Sequence, residues 1–312
     1  MSKIEWTDRT LNPLVGCTKI SSGCANCYAE VASASGRLQQ FPQYKTVVDG
    51  RGFWNGTVNF VPEQLEKIFK IKKPTRIFMP SMSDIFHPAV KDEWRDQIFA
   101  SIAVCPHITA QILTKRPEAM RDYFLHREDH IRVAAINFIF DRTITPKQFA
   151  PWTWNYPIPN LWLGVTVEDQ LTANAWIPML LGTPAAKRFL SCEPLLEQVN
   201  LIDHQLDDRR LNYLVNSWSC STAPTIDSGN MIVSNYKGID WVIVGGESGS
   251  GARRCDGEWI SSVVEQCRSN NVPVFVKQMG SNFYVNGVRQ KFKSRSGGDI
   301  EGWEEQFKIR EL

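Results

Sequence analysis

Six short runs rich in β-branched and aromatic residues recur along the chain, at 76–84, 109–116, 161–168, 187–193, 240–247 and 273–278. Each ends on a polar, charged or glycine-containing stretch, as a buried strand does where it leaves its sheet. Between them, segments such as 92–103 and 258–269 carry apolar residues three and four apart, the period of an amphipathic helix. Buried strands that alternate with helices are joined by crossovers rather than hairpins, which dictates a parallel sheet with right-handed connections. With the segment leading into Cys17 as a further strand, the expectation is an α/β fold: a full or partial (β/α) barrel of about six to seven parallel strands. A 312-residue chain that is 43% hydrophobic can fill such a core as one domain over 1–312. Two stretches, 127–160 and 200–236, break the alternation and are too long for plain connections, so they are expected as insertions over one face. The first contains the aromatic run 151–157, which is expected either to stack on a base or to pack on the exterior of the fold; 281–312 is expected as a C-terminal extension.

The strand ends carry the chemistry. Asp84, Lys115, Glu168, Glu193, Glu247 and Lys277 fall at the C-terminal ends of six separate runs, the end at which parallel α/β folds build their sites. One charged residue there simply begins a loop, whereas six in succession predict a polar pocket. Net charge contributes little: 35 Lys+Arg against 33 Asp+Glu leaves +2, which excludes a histone-like electrostatic binder but permits a local basic groove. The first eight residues are too charged for a signal peptide, and no window approaches a membrane span. A cytoplasmic chain keeps its thiols reduced, so the eight cysteines are not expected to form a disulfide framework.

Cys105, Cys192, Cys220, Cys255 and Cys267 are scattered, but Cys17, Cys24 and Cys27 share a C-x6-C-x2-C loop containing glycine. Soft thiolates at this spacing select zinc or an iron–sulfur cluster. A closed zinc site needs a fourth ligand, and none of the five histidines, His87, His107, His126, His130 and His204, is near in sequence, which leaves a remote cysteine such as Cys192 or Cys255. Three thiolates on a [4Fe-4S] cluster instead leave one iron open, the vacancy that S-adenosyl-L-methionine fills in radical chemistry. On that reading Tyr28 lies beside the adenine, Ser81, Ser83 and Asp84 accept from the methionyl ammonium, and Lys115 or Arg116 pairs with its carboxylate. Thr166 and Glu168 hold the ribose. Glu193, Glu247 and Lys277 surround the substrate and can move protons, and Cys192 is a candidate hydrogen-atom donor or a small buried hydrophobe. The literal Gly245-Gly246-Glu247 lies too late in the chain to take the ammonium-binding role that these letters have in radical enzymes.

Taken in order, 4–8, Asn12-Pro13, Gly16-Cys17 through Cys24, Cys27-Tyr28-Ala29-Glu30, 113–118, 162–168, 191–195, 242–249 and 276–278 resemble, over nearly the whole chain, a family of phage and prophage proteins of unknown function with a three-cysteine motif. That family looks like a divergent branch of the radical S-adenosylmethionine enzymes. The resemblance implies an external electron donor, the cytoplasm of a host cell and a nucleic-acid substrate. Its most specific implication is isomerisation of a glycyl adduct on the thymine 5-methylene of phage DNA from a nitrogen-linked to a carbon-linked form. Two other readings stand beside it: a non-enzymatic iron–sulfur or zinc protein that binds nucleic acid or a phage partner, and a radical lyase for pyrimidine repair. Basic residues at Lys67, Lys70, Lys72, Lys73 and Arg76, at Arg253-Arg254, and from Arg289 to Arg295 are candidate phosphate contacts or plain solvated charges. A base in a duplex has to be flipped to reach such a pocket.

Overall fold

The computed structural model describes residues 4–141, 153–202, 204–206, 209–215 and 238–312. Seven strands, β1 (Arg9–Thr10), β2 (Thr75–Phe78), β3 (Ile108–Thr114), β4 (Leu161–Thr166), β5 (Lys187–Cys192), β6 (Trp241–Gly245) and β7 (Val274–Gln278), hydrogen-bond in that order in one sheet. The sheet is parallel, as in the ladders β1–β2, β2–β3, β5–β6 and β6–β7. Among the described residues no ladder joins β1 to β7, so the strand order is that of a partial rather than a closed barrel. Several strands stop short of the polar residue that closes their sequence run: β2 ends at Phe78, β3 at Thr114, β4 at Thr166, β5 at Cys192 and β6 at Gly245.

Helices fill the connections: α1 (Tyr28–Ser33), α2 (Glu63–Phe69), α3 (Asp92–Ala103), α4 (Pro117–His126), α5 (Glu128–Phe140), α6 (Gln170–Leu181) and α7 (Gly257–Ser269). Pro117 opens α4 at a position where its missing N–H costs nothing. Asp169 opens α6 with a capping box, accepting from Thr172 N (2.8 Å) while Thr172 Oγ1 accepts from Asp169 N (3.1 Å). The first expected insertion is in part regular structure: α5 occupies its opening residues, and Phe138 of α5 meets Phe69 ring to ring at 5.3 Å. The remainder of that stretch around Trp152, and most of the second one, 200–236, lie outside the described residues.

Contacts divide the chain into two compact units, one of 1–163 with 183–186 and the other of 164–182 with 187–312. In the first, Phe86, Phe99, Tyr123 and Phe124 form a buried aromatic cluster with centroids 4.8 to 6.1 Å apart. Such rings contribute about 1.5–3 kcal/mol each by burial. In the second, Leu190, Val242, Val244, Val274 and Val276 are buried, as are Ile260, Val263 and Cys267 of α7. The C-terminal extension forms a hairpin, Phe283–Val285 with Val288–Arg289, and then returns to the edge of β7. There Arg310 bridges Phe275 antiparallel, Val276 N donates to Ile309 O (2.8 Å) and Glu311 N donates to Val274 O (3.1 Å). Among the described residues no helix is long and apolar enough to cross a membrane.

Candidate functional site

In the first unit the cysteine loop is fastened at both ends and in the middle. Gly16, just before Cys17, has φ +105, and a Cβ there would lie 2.1 Å from Thr57 O, so only glycine fits. Its N–H donates to Met82 O (3.0 Å) and its carbonyl accepts from Ser83 Oγ (2.6 Å), tying the first cysteine to the turn after β2. Ser22–Cys24 makes a 3-10 turn, and Cys27 caps α1. Across the loop, the Lys19 ammonium meets the buried Glu30 carboxylate at 2.6 Å and donates to Ala25 O at 3.2 Å, while Glu30 also accepts from Trp54 N (2.9 Å).

The third strand reaches the same loop. Arg116, just past β3, donates from Nη1 to Asp84 Oδ2 (3.0 Å) and Cys17 Sγ (3.8 Å), and from Nη2 to Thr18 O (3.1 Å) and Thr18 Oγ1 (2.9 Å). Asp84, buried, also accepts from Thr114 Oγ1 (2.7 Å), Phe86 N (2.9 Å) and Lys115 N (3.1 Å). Arg116 therefore braces the Cys17 limb with its fork filled by protein acceptors, and Asp84 is the anion that holds it there. Ser81 donates through N and Oγ to Asn12 Oδ1 (2.7 and 3.1 Å), and the hydroxyl of Tyr28, a residue 60% exposed, donates to Ser81 O (2.7 Å). These pairings bring Tyr28, Ser81, Ser83, Asp84, Arg116 and Cys17 into one neighbourhood.

His87 was not visible from spacing. Its Nε2 lies 2.9 Å from Thr18 Oγ1, which places an imidazole beside the cysteine loop although 69 residues separate the two. Burial lowers its pKa to about 4, with the charges of Arg116 and Arg95 acting in the same direction and Asp84 opposing. Only the contact between the cysteine loop and the segment after β2 discloses it, because no local pattern marks it.

The three loop thiols are half-buried, whereas Cys105, Cys192, Cys255 and Cys267 are buried, and all seven are unbridged. Burial pushes the Cys17 thiol up to about 11, with the Asp84 charge adding and Arg116 opposing. Among the described residues no three His, Cys, Asp or Glu side chains are placed so as to hold a metal ion. Three soft thiols on one braced loop are of the donor type that a cluster takes, and their side chains do not converge in this structure.

The second unit gathers the later strand ends. Glu193, after β5, accepts from Lys277 Nζ on both oxygens (2.7 and 2.7 Å) and from Gln278 Nε2 on Oε1 (2.9 Å). Gln278 Nε2 also donates to Gly246 O (3.0 Å). Glu247 is buried and engaged by Arg253 through N (2.8 Å), Nε (2.9 Å) and Nη2 (2.6 Å), so its anion is already matched. A Cβ on Gly246 would lie 2.2 Å from Met279 O, which explains the Gly-Gly letters by close backbone approach rather than by ligand binding. Thr166 and Glu168 are buried, and Glu168 N donates to Thr172 Oγ1 (2.9 Å). Cys192 is 0% exposed, with its thiol raised to about 12 by burial. Of the basic groups, Lys70, Arg76 and Arg254 are paired with Glu66, Asp8 and Asp256.

The family model described as Protein of unknown function (DUF5131) matches residues 1–306, and the chain belongs to that family. No curated protein and no solved structure matches the chain.

Proposed function

We propose that this DUF5131 protein is a radical S-adenosylmethionine enzyme that modifies a nucleic-acid base, most specifically by isomerising a glycyl adduct on the thymine 5-methylene of phage DNA. The observation that carries the reading is the cysteine loop: of the seven described cysteines, the three at C-x6-C-x2-C are the ones that reach solvent, and Arg116, Lys19 and Gly16 hold them in a fixed loop. Cys17, Cys24 and Cys27 would hold a [4Fe-4S] cluster and leave one iron open for the methionyl group. When bound there, cluster and cofactor together supply one-electron cleavage of the sulfonium.

The chain's own residues set the rest. Arg116 offers the Cys17 sulfur an N–H donor from a group that is always charged, and Asp84 keeps that guanidinium from turning away. In the second unit the Lys277 ammonium has three donors, of which Glu193 takes two, leaving one for an oxygen of a polar substrate. The same pair can hold a proton between Nζ and Oε. Neither group needs to leave its partner to do so.

The test is iron and sulfide content, with electron paramagnetic resonance of anaerobically reconstituted protein before and after adding S-adenosylmethionine. About four irons per chain, a signal that shifts with the cofactor, and reductant-dependent 5′-deoxyadenosine are expected. A cluster indifferent to the cofactor overturns the proposal. A second reading rests on His87, whose Nε2 lies 2.9 Å from Thr18 Oγ1 in the cysteine loop: with the three thiols it would supply the four ligands of a structural zinc site. Tightly bound zinc, lost with the His87→Ala substitution, would establish that alternative.

A further inference from the structure

From β7 onward the chain doubles back over the strand ends of the second unit. Met279 N donates to Gly297 O (3.0 Å), Gly280 N to Ser296 O (3.0 Å) and Ser281 N to Glu247 O (2.8 Å), and Ser281 Oγ donates to Arg295 O. The segment 289–297 is thereby fixed directly against the residues that follow β6 and β7. Within it, exposure alternates. Arg289, Lys291, Lys293 and Arg295 are exposed, whereas Gln290, Phe292 and Ser294 are half-buried, with Phe292 against Phe283 at 5.9 Å. The segment leaves the hairpin and turns at 293–297, where Gly297 N donates to Ser294 O (3.1 Å), so four exposed cations are gathered within seven residues.

Their surroundings distinguish them from ordinary solvated charge. No acid among the described residues pairs with any of the four, in contrast to Arg76, Arg253 and Arg254. Asp299, the nearest carboxylate in contact, is used by the backbone, accepting from Lys293 N (3.0 Å) and Ser294 N (3.2 Å), and so fixes the turn without neutralising it. Beside the row, Arg289 faces Tyr284 across the hairpin, and the Arg254 guanidinium lies 4.3 Å from the Tyr284 ring centroid. Four exposed cations with no acid partner on a hydrogen-bonded segment, next to an aromatic ring, match a phosphodiester chain with bases to stack. An acidic protein or a lipid surface does not require the ring.

We propose that Arg289, Lys291, Lys293 and Arg295 seat the backbone of a single nucleic-acid strand, and so present a base to the Glu193–Lys277 strand ends. The proposal deepens, and rests on, the reading of a nucleic-acid substrate. It is tested on the full-length protein without cluster or cofactor, by fluorescence anisotropy of labelled single-stranded DNA and RNA oligonucleotides over a range of salt. The K291Q/K293Q/R295Q variant spares Arg289, which donates to Ser281 O (3.2 Å), and exposed residues of this kind leave the fold intact, as circular dichroism would verify. Each phosphate contact on a single strand contributes about −0.7 to the slope of log K against log salt. Four contacts predict a slope of about −2.8, and removing three lowers it by about 2 and weakens binding roughly a hundredfold at 0.1 M salt. The exposed K72Q/K73Q variant should bind as the unaltered protein does. Equal binding and slope in the triple variant would overturn the seat while leaving a nucleic-acid substrate standing. Binding to phosphatidylserine vesicles but to neither oligonucleotide would overturn the seat in favour of a lipid surface. Absence of all binding in a protein that still loads iron and cleaves S-adenosylmethionine would overturn it and leave the radical chemistry standing.

Discussion

Replacing Asp84 with asparagine tests whether the brace on the cysteine loop is a buried ion pair. The carboxylate accepts four hydrogen bonds, and Oδ2 alone serves both Lys115 N (3.1 Å) and Arg116 Nη1 (3.0 Å). In Asp84→Asn one amide oxygen can still serve Thr114 and Phe86, but the amide nitrogen then faces two donors. At an effective dielectric near 20, opposite charges about 4 Å apart attract by ~4 kcal/mol, and orphaning one partner of a buried pair costs about 3–5 kcal/mol. Both side chains are at most about a tenth exposed, so solvent screening removes little of this. Urea unfolding followed by tryptophan fluorescence should show a loss of about 3–5 kcal/mol for Asp84→Asn. Glu66→Gln, at the solvent-exposed Glu66–Lys70 pair, should change stability by less than about 0.5 kcal/mol. Arg116→Gln alone should be similarly costly, and the double variant should cost clearly less than the sum of the two. A loss below about 1 kcal/mol for Asp84→Asn would refute the claim that Asp84 holds Arg116 by charge.

Gly16→Ala should destabilise by at least about 2 kcal/mol, since it adds both backbone strain and a contact with Thr57 O, and thermal denaturation reads it directly. His87 is neutral in the fold down to about pH 4 but takes a proton in the unfolded chain near pH 6.5. Between those values the unfolded state binds more protons, so stability is lost as the pH is lowered from about 6.5 to about 4, by up to ~3 kcal/mol; urea midpoints at pH 7 and pH 4.5 should differ less in His87→Asn than in the unaltered protein. Glu193→Gln should leave iron loading unchanged and lower product formation by at least about a hundredfold, measured by product chromatography; unchanged turnover would remove the Glu193–Lys277 pair from the chemistry. Gly246→Ala should disturb the close approach to Met279, giving a less stable protein in the same thermal assay.

What the sequence disclosed followed from local period. The runs around Ile77, Ile112, Leu163, Leu190, Ile243 and Phe275 all became strands, because a buried parallel strand needs little beyond continuous apolar pleat positions. Asp92–Ala103 is a helix with the very bounds its spacing indicates. Helix α5 was hidden in a presumed insertion because the sequence after Arg127 runs into the Pro- and Trp-rich stretch, which masked its end; in the structure its buried residues are only Ile131 and Ala135. Partners distant in sequence were harder still. The sequence offers Lys115 or Arg116 to a ligand carboxylate; in the structure Asp84 and Thr18 hold the Arg116 fork, and they meet it only once β1, β2 and β3 are in register. A charge in a sequence states that it needs a partner. The fold decides which one.

The edge of β7 has a practical consequence for anyone handling this protein. Residues 309–311 occupy the backbone groups of Val274 and Val276, and Trp241 Nε1 donates to Glu311 O (2.9 Å), so a few terminal residues close an otherwise exposed template for strand addition. A truncation that stops before Ile309 would cost solubility before it cost chemistry, by making β7 adhesive to its own copies.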